Sequence, residues 1–386
     1  MEGAGDQKLM KPACSLPWSN IDVTPEGFIR PCCKITMNDD SFNIHRKEIK
    51  DYFNSKFLDQ LKQDLMSNKL PEVCSRCAGE EKNYIKSFRQ VWNDRFENDL
   101  SDYEIDQGII TVDISPSTVC DLKCIMCSSF CSTKWRKEYY DVYGIDNKPS
   151  KEFNANIIAI LFDHMKNLKY IQIGGGEPMM SVLLPPYDIL QYYIDKGTAE
   201  NIIISINTNA NHFPSEELIG LLQKFKRVNI DISLDGFEEK NEYIRFPSNW
   251  QITEKNLKLF NELEKVNKKF RVGLGHTLSA YNIYYLPEFF KWTKEFGFKT
   301  NPYISRLTTP EHFSIFVYTD SVKQAIITKL LKSKNIECIK WARVLKDSKS
   351  NDQFQEFLKY KNIHDNYRGT NFAKTFPELE ELINGF

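Results

Sequence analysis

Asn201-Ile202-Ile203-Ile204-Ser205-Ile206, helical spacing over residues 216–225, and then Val228-Asn229-Ile230-Asp231-Ile232-Ser233 read as strand, crossover helix and strand. The same alternation extends both ways. Upstream, Ile109-Ile110-Thr111-Val112-Asp113-Ile114 and Lys169-Tyr170-Ile171-Gln172-Ile173 are strand candidates; downstream, Phe270-Arg271-Val272-Gly273-Leu274 and Pro302-Tyr303-Ile304-Ser305 are two more. Residues 153–165, 183–194, 253–263 and 286–292 carry helical spacing between them. The pattern predicts an α/β fold of parallel strands with crossover helices, as an open doubly wound sheet or a full or partial barrel. Both place ligands at the carboxyl ends of the strands, so chemistry is sought just after each run.

At 386 residues the chain is long enough for one core plus an appended module, and 41% hydrophobic with 27% charged residues suits a globular protein. Fifty-one Lys and Arg against 52 Asp and Glu leave a charge of −1, which gives no basic field for nucleic acid or an anionic membrane. The opening Met1-Glu2-Gly3-Ala4-Gly5-Asp6 lacks the basic-then-apolar pattern of a signal, and apolar runs such as residues 157–162 are too short to span a bilayer. A cytoplasmic location is expected. Of the 10 cysteines, Cys14, Cys32, Cys33, Cys74 and Cys77 lie early, Cys120, Cys124, Cys127 and Cys131 cluster after the first core strand, and Cys338 stands alone. In a reducing compartment such clusters read as metal sites or reactive thiols.

The first strand end carries Cys120-Asp121-Leu122-Lys123-Cys124-Ile125-Met126-Cys127. Three thiolates on one short loop can hold three irons of a 4Fe–4S cubane and leave the fourth iron open for a substrate. The other reading is zinc, with Cys124 and Cys127 supplying half of a tetrahedral site. Cys131 falls outside the spacing and reads as a small buried residue or a bystander thiol.

This loop resembles the Cys-x3-Cys-x2-Cys signature of the radical S-adenosylmethionine (radical SAM) enzymes. The resemblance covers about residues 105–308 and implies a partial (β/α)6 barrel. It also implies that Cys120, Cys124 and Cys127 bind a catalytic 4Fe–4S cluster whose open iron chelates S-adenosylmethionine. Reductive cleavage would then release a 5′-deoxyadenosyl radical that abstracts hydrogen from a substrate. Met126 sits where the family places an apolar or aromatic residue near the adenine.

The next strand runs into Gly174-Gly175-Gly176-Glu177-Pro178, where glycines admit close backbone approach and a carboxylate can receive an ammonium group. It is similar to the family's GGE motif for the methionine amino group. Asn207-Thr208-Asn209 and Ser233-Leu234-Asp235-Gly236 end the following strands with amides and hydroxyls able to bind a ribose. The family often shows similar Thr-Asn-Gly and Ser-Leu-Asp-Gly sequences, and Ala210 here replaces the usual glycine. Arg245 resembles an arginine that pairs with the methionine carboxylate. His276, at the fifth strand end, reads as a packing or hydrogen-bonding residue.

Upstream, Cys14-Ser15-Leu16-Pro17-Trp18, Gly27, Pro31-Cys32-Cys33 and Cys74-Ser75-Arg76-Cys77 offer five cysteines for a four-thiolate site, zinc or a second cubane. The favoured set is Cys14, Cys32, Cys74 and Cys77, although spacing alone does not separate Cys32 from Cys33. The segment resembles the SPASM and twitch auxiliary-cluster modules, placed before the core rather than after it. Residues 309–386 read as a helical cap, with Trp341, Tyr360, Tyr367, Phe372 and Phe376 as packing aromatics and Asp365 able to pair with Arg368 one turn on.

The expected organisation is therefore an auxiliary module at 1–104, a radical SAM core at 105–308 and a helical C-terminal segment at 309–386. Gly175, Gly176, Glu177, Asn209, Ser233, Arg245 and Met126 would hold S-adenosylmethionine. The resemblance implies a reductant such as flavodoxin or ferredoxin and a peptide substrate. Oxidation or rearrangement of a sugar or nucleotide-linked molecule is the alternative, and a non-catalytic zinc or iron–sulfur binding protein is the alternative of a different class.

Overall fold

The structure is a computed structural model. It describes residues 12–35, 42–45, 48–82, 85–98, 100, 108–146, 161, 165–180 and 185–385. The backbone forms two compact units, Met1–Pro116 with Lys151–Gln172, and Ser117–Ser150 with Ile173–Phe386.

In the first unit the strands are β1 (Asn20–Val23), β2 (Ile29–Arg30), β3 (Thr111–Ile114) and β4 (Tyr170–Ile173, whose last residue passes into the second unit), in the order β2-β1-β3-β4. β1 and β2 form an antiparallel hairpin, and β1 pairs parallel with β3, so that Asp22 stands opposite Asp113. Gly27 turns the hairpin at φ +83°, where a Cβ would also meet the His45 ring at 2.7 Å. Between the early cysteine groups the chain forms two helices, Ile49–Phe53 and Lys56–Met66, the second capped by the Ser55 hydroxyl accepting from Leu58 N–H. The hairpin agrees with the short hairpin-like stretch that the sequence suggests between the early cysteines, although four and two residues are too few to show a period and mark the strands themselves.

The second unit contains β5 (Ile203–Thr208), β6 (Arg227–Ser233), β7 (Phe270–Leu278) and β8 (Tyr303–Arg306), each parallel to the next. β6 shows why the run folds as a strand: Val228, Ile230 and Ile232 are buried, while the alternate residues are only partly so. Each buried aliphatic side chain contributes about 1.5–3 kcal/mol. The crossover helices Glu216–Leu222, Trp250–Val266 and Leu286–Phe296 fall on the segments read as helical. Ser215 and Asn249 cap the first two, and Gly297 at φ +94° ends the third. The helix expected over residues 153–165 lies outside the described residues apart from Leu161 and Met165.

All six strand candidates are thus strands, in a mixed α/β architecture with a helical C-terminal region. In that region Trp341, Phe372 and Phe376 are buried as packing groups. Arg368 does not pair with Asp365. It turns to Glu138, while Asp365 accepts from the Thr370 hydroxyl and Phe372 N–H and so shapes the helix end. Among the described residues no helix is long and apolar enough to cross a membrane.

Candidate active site

Within the second unit, the loop bearing Cys120, Cys124 and Cys127 is held by bonds its own residues make. Lys123 N–H donates to the Phe246 carbonyl at 2.7 Å and Ile125 N–H to that of Ile244 at 2.8 Å, which brackets Cys124 against Arg245. The Trp135 indole donates to the Cys124 carbonyl at 2.8 Å, and the Ser132 hydroxyl to that of Leu122 at 2.5 Å. Asp121 accepts from the side-chain amides of Asn209 and Asn211, each at 2.8 Å, and meets His212 Nε2 at 3.2 Å. Burial pushes the Asp121 carboxyl up, but these three partners outweigh it and hold it at about 2.

The glycine loop interlocks with the cysteine loop. Gly176 N–H donates to the Ser117 carbonyl at 2.8 Å and Glu177 N–H to that of Val119 at 2.9 Å. A Cβ on Gly176 would lie 2.0 Å from the Val119 oxygen, so only glycine fits there. Glu177 is buried; its Oε1 accepts from Met179 N–H and the Thr208 hydroxyl, both at 2.8 Å, and its Oε2 from Asn209 N–H at 2.6 Å. Three of about four acceptor positions are then taken, leaving one for an incoming ammonium. Burial raises this carboxyl to about 7 despite its donors.

Cys120, Cys124, Cys127, Met126, Gly175, Gly176, Glu177, Asn209, Ser233 and Arg245 all line one cavity of about 640 Å³. The core positions expected from the sequence to hold the cluster and the cosubstrate are thereby brought together. Burial pushes the Cys120 thiol up to about 12 and also raises Cys124, against the pull of Arg245. Cys127 is raised first by a hydrogen bond with Cys131 and then by burial. Cys131 is therefore an exposed thiol beside Cys127 on the cavity wall, not a buried packing residue. Among the described residues no three Cys, His, Asp or Glu side chains converge as a site for a metal ion. Three thiols on a cavity wall beside a side-chain-free backbone nonetheless fit a cluster with an open iron next to a bound cosubstrate.

Arg245 is buried, with Nη2 2.7 Å from Asp235 Oδ2 and Nη1 3.8 Å from Cys124 Sγ. His276 packs: its Nδ1 lies 3.0 Å from the Leu234 carbonyl, its ring contacts Phe289 at 4.4 Å, and burial lowers it to about 4.

Sequence reasoning did not single out the wall formed by Phe130, Tyr139, Tyr143, Thr309 and Pro310, nor the Glu138 hub behind it. Glu138 is buried between Lys123 Nζ at 2.6 Å, His364 Nδ1 at 2.8 Å and Arg368 Nε at 2.7 Å. His364 Nε2 in turn lies 3.1 Å from the Tyr143 hydroxyl. His364 and Arg368 follow Glu138 by over two hundred residues, so no local spacing announces the cluster.

In the first unit, Cys14 and Cys32 are each pushed up to about 12 by burial, Cys14 further by Cys74 and Cys77, and Cys32 by Cys14 and Cys77. Cys74 reaches about 11, from burial and then Cys77. These four thiols act on one another. Cys33, raised first by burial, faces Asp113, itself raised to about 7 by burial and by Asp22. Arg89 Nη1 and Asn93 Nδ2 donate to the Ala13 carbonyl at 2.5 and 3.1 Å and fix the chain just before Cys14.

Residues 114–281 match the model of the radical SAM superfamily, and residues 14–78 match the SPASM iron–sulfur cluster-binding domain. The chain thus carries a radical SAM domain, with a SPASM domain at its N-terminal side. Its cofactors are accordingly S-adenosylmethionine, a 4Fe–4S cluster in the radical SAM domain and auxiliary iron–sulfur in the SPASM domain. No curated protein matches the chain. Among solved structures it is similar to anSMEcpe with bound AdoMet, at 20% identity over 58% of this chain and 56% of that one, TM-score 0.43. TYW1 with a lysine-pyruvate adduct shares 15% identity over 64% and 77% of the chains, TM-score 0.34. SuiB of Streptococcus suis bound to S-adenosylmethionine shares 16% over 82% and 55%, TM-score 0.33. The chain spans just over half the length of anSMEcpe.

Proposed function

We propose that this enzyme modifies a peptide side chain by radical chemistry, with Cys120, Cys124 and Cys127 holding the catalytic cluster. The observation that carries the reading is that these thiols and the Gly175-Gly176-Glu177 backbone line the same cavity. When bound, the cluster supplies the electron that splits S-adenosylmethionine into methionine and a 5′-deoxyadenosyl radical, which takes a hydrogen atom from the substrate.

The chain's own residues bind and orient. The open acceptor position on Glu177, with the Gly175 and Gly176 backbone, suits the ammonium of the cosubstrate, and the guanidinium of Arg245 suits its carboxylate. Ser233 and Asn209 offer polar atoms to a ribose, and Met126 offers an apolar surface to a base. The cavity of about 640 Å³ must receive the cosubstrate and the group being attacked. That space suits one side chain projecting from a polymer that stays outside better than a second nucleotide. Tyr139 and Tyr143 on the wall would exclude water from it.

In the first unit, Cys14, Cys32, Cys74 and Cys77 are the proposed auxiliary ligands. The functional division into 1–104, 105–308 and 309–386 belongs to the same proposal, as does a low-potential electron donor of flavodoxin or ferredoxin type.

The test is mass-spectrometric detection of 5′-deoxyadenosine after anaerobic iron–sulfide reconstitution with S-adenosylmethionine and a strong reductant. Formation that disappears in Cys124→Ala supports the site. Incubation with candidate peptides should then give a mass change in the peptide, and a change seen only with sugars would overturn the substrate class.

A further inference from the structure

The position of Arg245 has a consequence beyond holding a cosubstrate carboxylate. Its backbone lies between Ile244 and Phe246, whose carbonyls take the N–H groups on either side of Cys124. Its guanidinium is divided between two partners, Asp235 Oδ2 at 2.7 Å and Cys124 Sγ at 3.8 Å. Asp235 is fully buried and fixed in its turn, since its Oδ1 accepts from Thr277 N–H at 2.6 Å and its carbonyl accepts from Asn282 at 3.1 Å. Arg245 is thus a cation anchored on its far side and aimed at a sulfur.

From this we infer that Arg245 sets the reduction potential of the catalytic cluster through its contact with Cys124 Sγ, with Asp235 holding the guanidinium in place. The inference rests on the proposal that Cys124 is a cluster ligand. Donors to the sulfurs and nearby charge are among the factors that set the potential of an iron–sulfur cluster. Reduction adds an electron to the site. A buried guanidinium against the thiolate stabilises the reduced state more than the oxidised one, and it does so most strongly where water is excluded. The balance is a single electron taken from the external reductant, with no bond made or broken in the protein. Asp235 works in the opposite sense as a charge and in the same sense as an anchor, so substitutions at the two positions separate the roles.

The experiment is an EPR-monitored redox titration of the reconstituted full chain without S-adenosylmethionine, together with iron analysis and equilibrium dialysis of the cosubstrate. Arg245→Met is expected to keep its iron while its cluster reduction equilibrium falls tenfold or more, a shift of 59 mV or more to lower potential for one electron. Arg245→Lys should fall between that variant and the wild type, and Asp235→Asn, which removes a negative charge and keeps its amide oxygen on the guanidinium with its NH2 set against Thr277 N–H, should shift upward. An unchanged potential in Arg245→Met, with only cosubstrate affinity lost, would overturn the inference and leave Arg245 as a carboxylate clamp. If Arg245→Met loads no iron, the opposed shifts of Arg245→Lys and Asp235→Asn decide, and equal potentials in both overturn it. Failure of the wild-type chain to assemble any cluster would instead overturn the proposed cysteine site.

Discussion

Glu177 Oε2 accepts the backbone N–H of Asn209 at 2.6 Å, and through this bond the glycine loop after β4 is tied to the end of β5. The glutamate of the Gly-Gly-Glu run is therefore a brace, whatever it binds besides. Oε1 is equally committed, to Met179 N–H and the Thr208 hydroxyl. Glu177→Gln should expose this. Whichever way the amide is turned, its NH2 faces a backbone N–H, that of Met179 or that of Asn209, and a buried donor loses its acceptor. The expected loss is about 1–3 kcal/mol in chemical denaturation, with weaker cosubstrate binding in dialysis. Because burial raises Glu177 to about 7, wild-type affinity should rise as pH passes upward through that value and ionises the carboxylate, and the variant should lose this dependence.

Two small residues nearby make opposite predictions. Gly176→Ala places a Cβ 2.0 Å from the Val119 oxygen, so the cysteine and glycine loops must part and deoxyadenosine formation should be lost. Ala210 is buried with φ +61°, a left-handed conformation that costs an alanine about 1–2 kcal/mol. Ala210→Gly should raise stability by about 0.5–1 kcal/mol, the extra chain entropy of glycine offsetting part of the gain. Deoxyadenosine release checks the first variant and calorimetric melting the second. A less stable Ala210→Gly would show that the methyl group earns its place by packing.

What could be read from the chain follows from how local each feature is. The core strands and crossover helices repeat within short windows, and the cavity residues follow strand ends directly, so fold class and the cysteine, glycine and serine positions were legible. Asp121 was legible only as a filler between cysteines, although it gathers Asn209, Asn211 and His212. Its role depends on the meeting of two strand ends, which no spacing encodes. Arg368 shows the same limit, since a carboxylate three positions away at Asp365 looked like its partner while the fold supplies Glu138. Tertiary pairing outweighed local spacing because Asp365 is consumed by Thr370 and Phe372 at the helix end.

The N-terminal cysteines give a prediction independent of turnover. Cys33 faces Asp113, whereas Cys14, Cys32, Cys74 and Cys77 act on one another. Cys33→Ala should therefore keep the iron and acid-labile sulfide content of the reconstituted wild type. Cys32→Ala should lose up to about four irons per chain, those of one cubane. Loss of iron from Cys33→Ala with retention in Cys32→Ala would reverse the assignment of the adjacent pair.

Acid should loosen the hub behind the cysteine loop. Burial would raise the Glu138 carboxyl, but His364, Arg368 and Lys123 outweigh it and bring it from 4.5 to about 2. A carboxyl lowered on folding stabilises the protein at pH values above its unfolded value, and that contribution is lost as pH falls through the folded one. Here the window runs from about 4.5 down to about 2, with about 3 kcal/mol at stake by the usual conversion. His364, lowered mainly by burial, adds a loss in the same direction that begins below 6.5. Glu138→Gln should abolish the carboxyl part of this acid sensitivity and, at neutral pH, leave Lys123 and Arg368 buried without their counter-ion, at a cost of about 3–5 kcal/mol. Denaturant unfolding of wild type and variant across pH 3 to 7 measures both effects, and the gap between the two curves should close as the pH falls. Parallel curves would mean that Glu138 carries no net ionic role in holding the C-terminal helix against the cysteine loop.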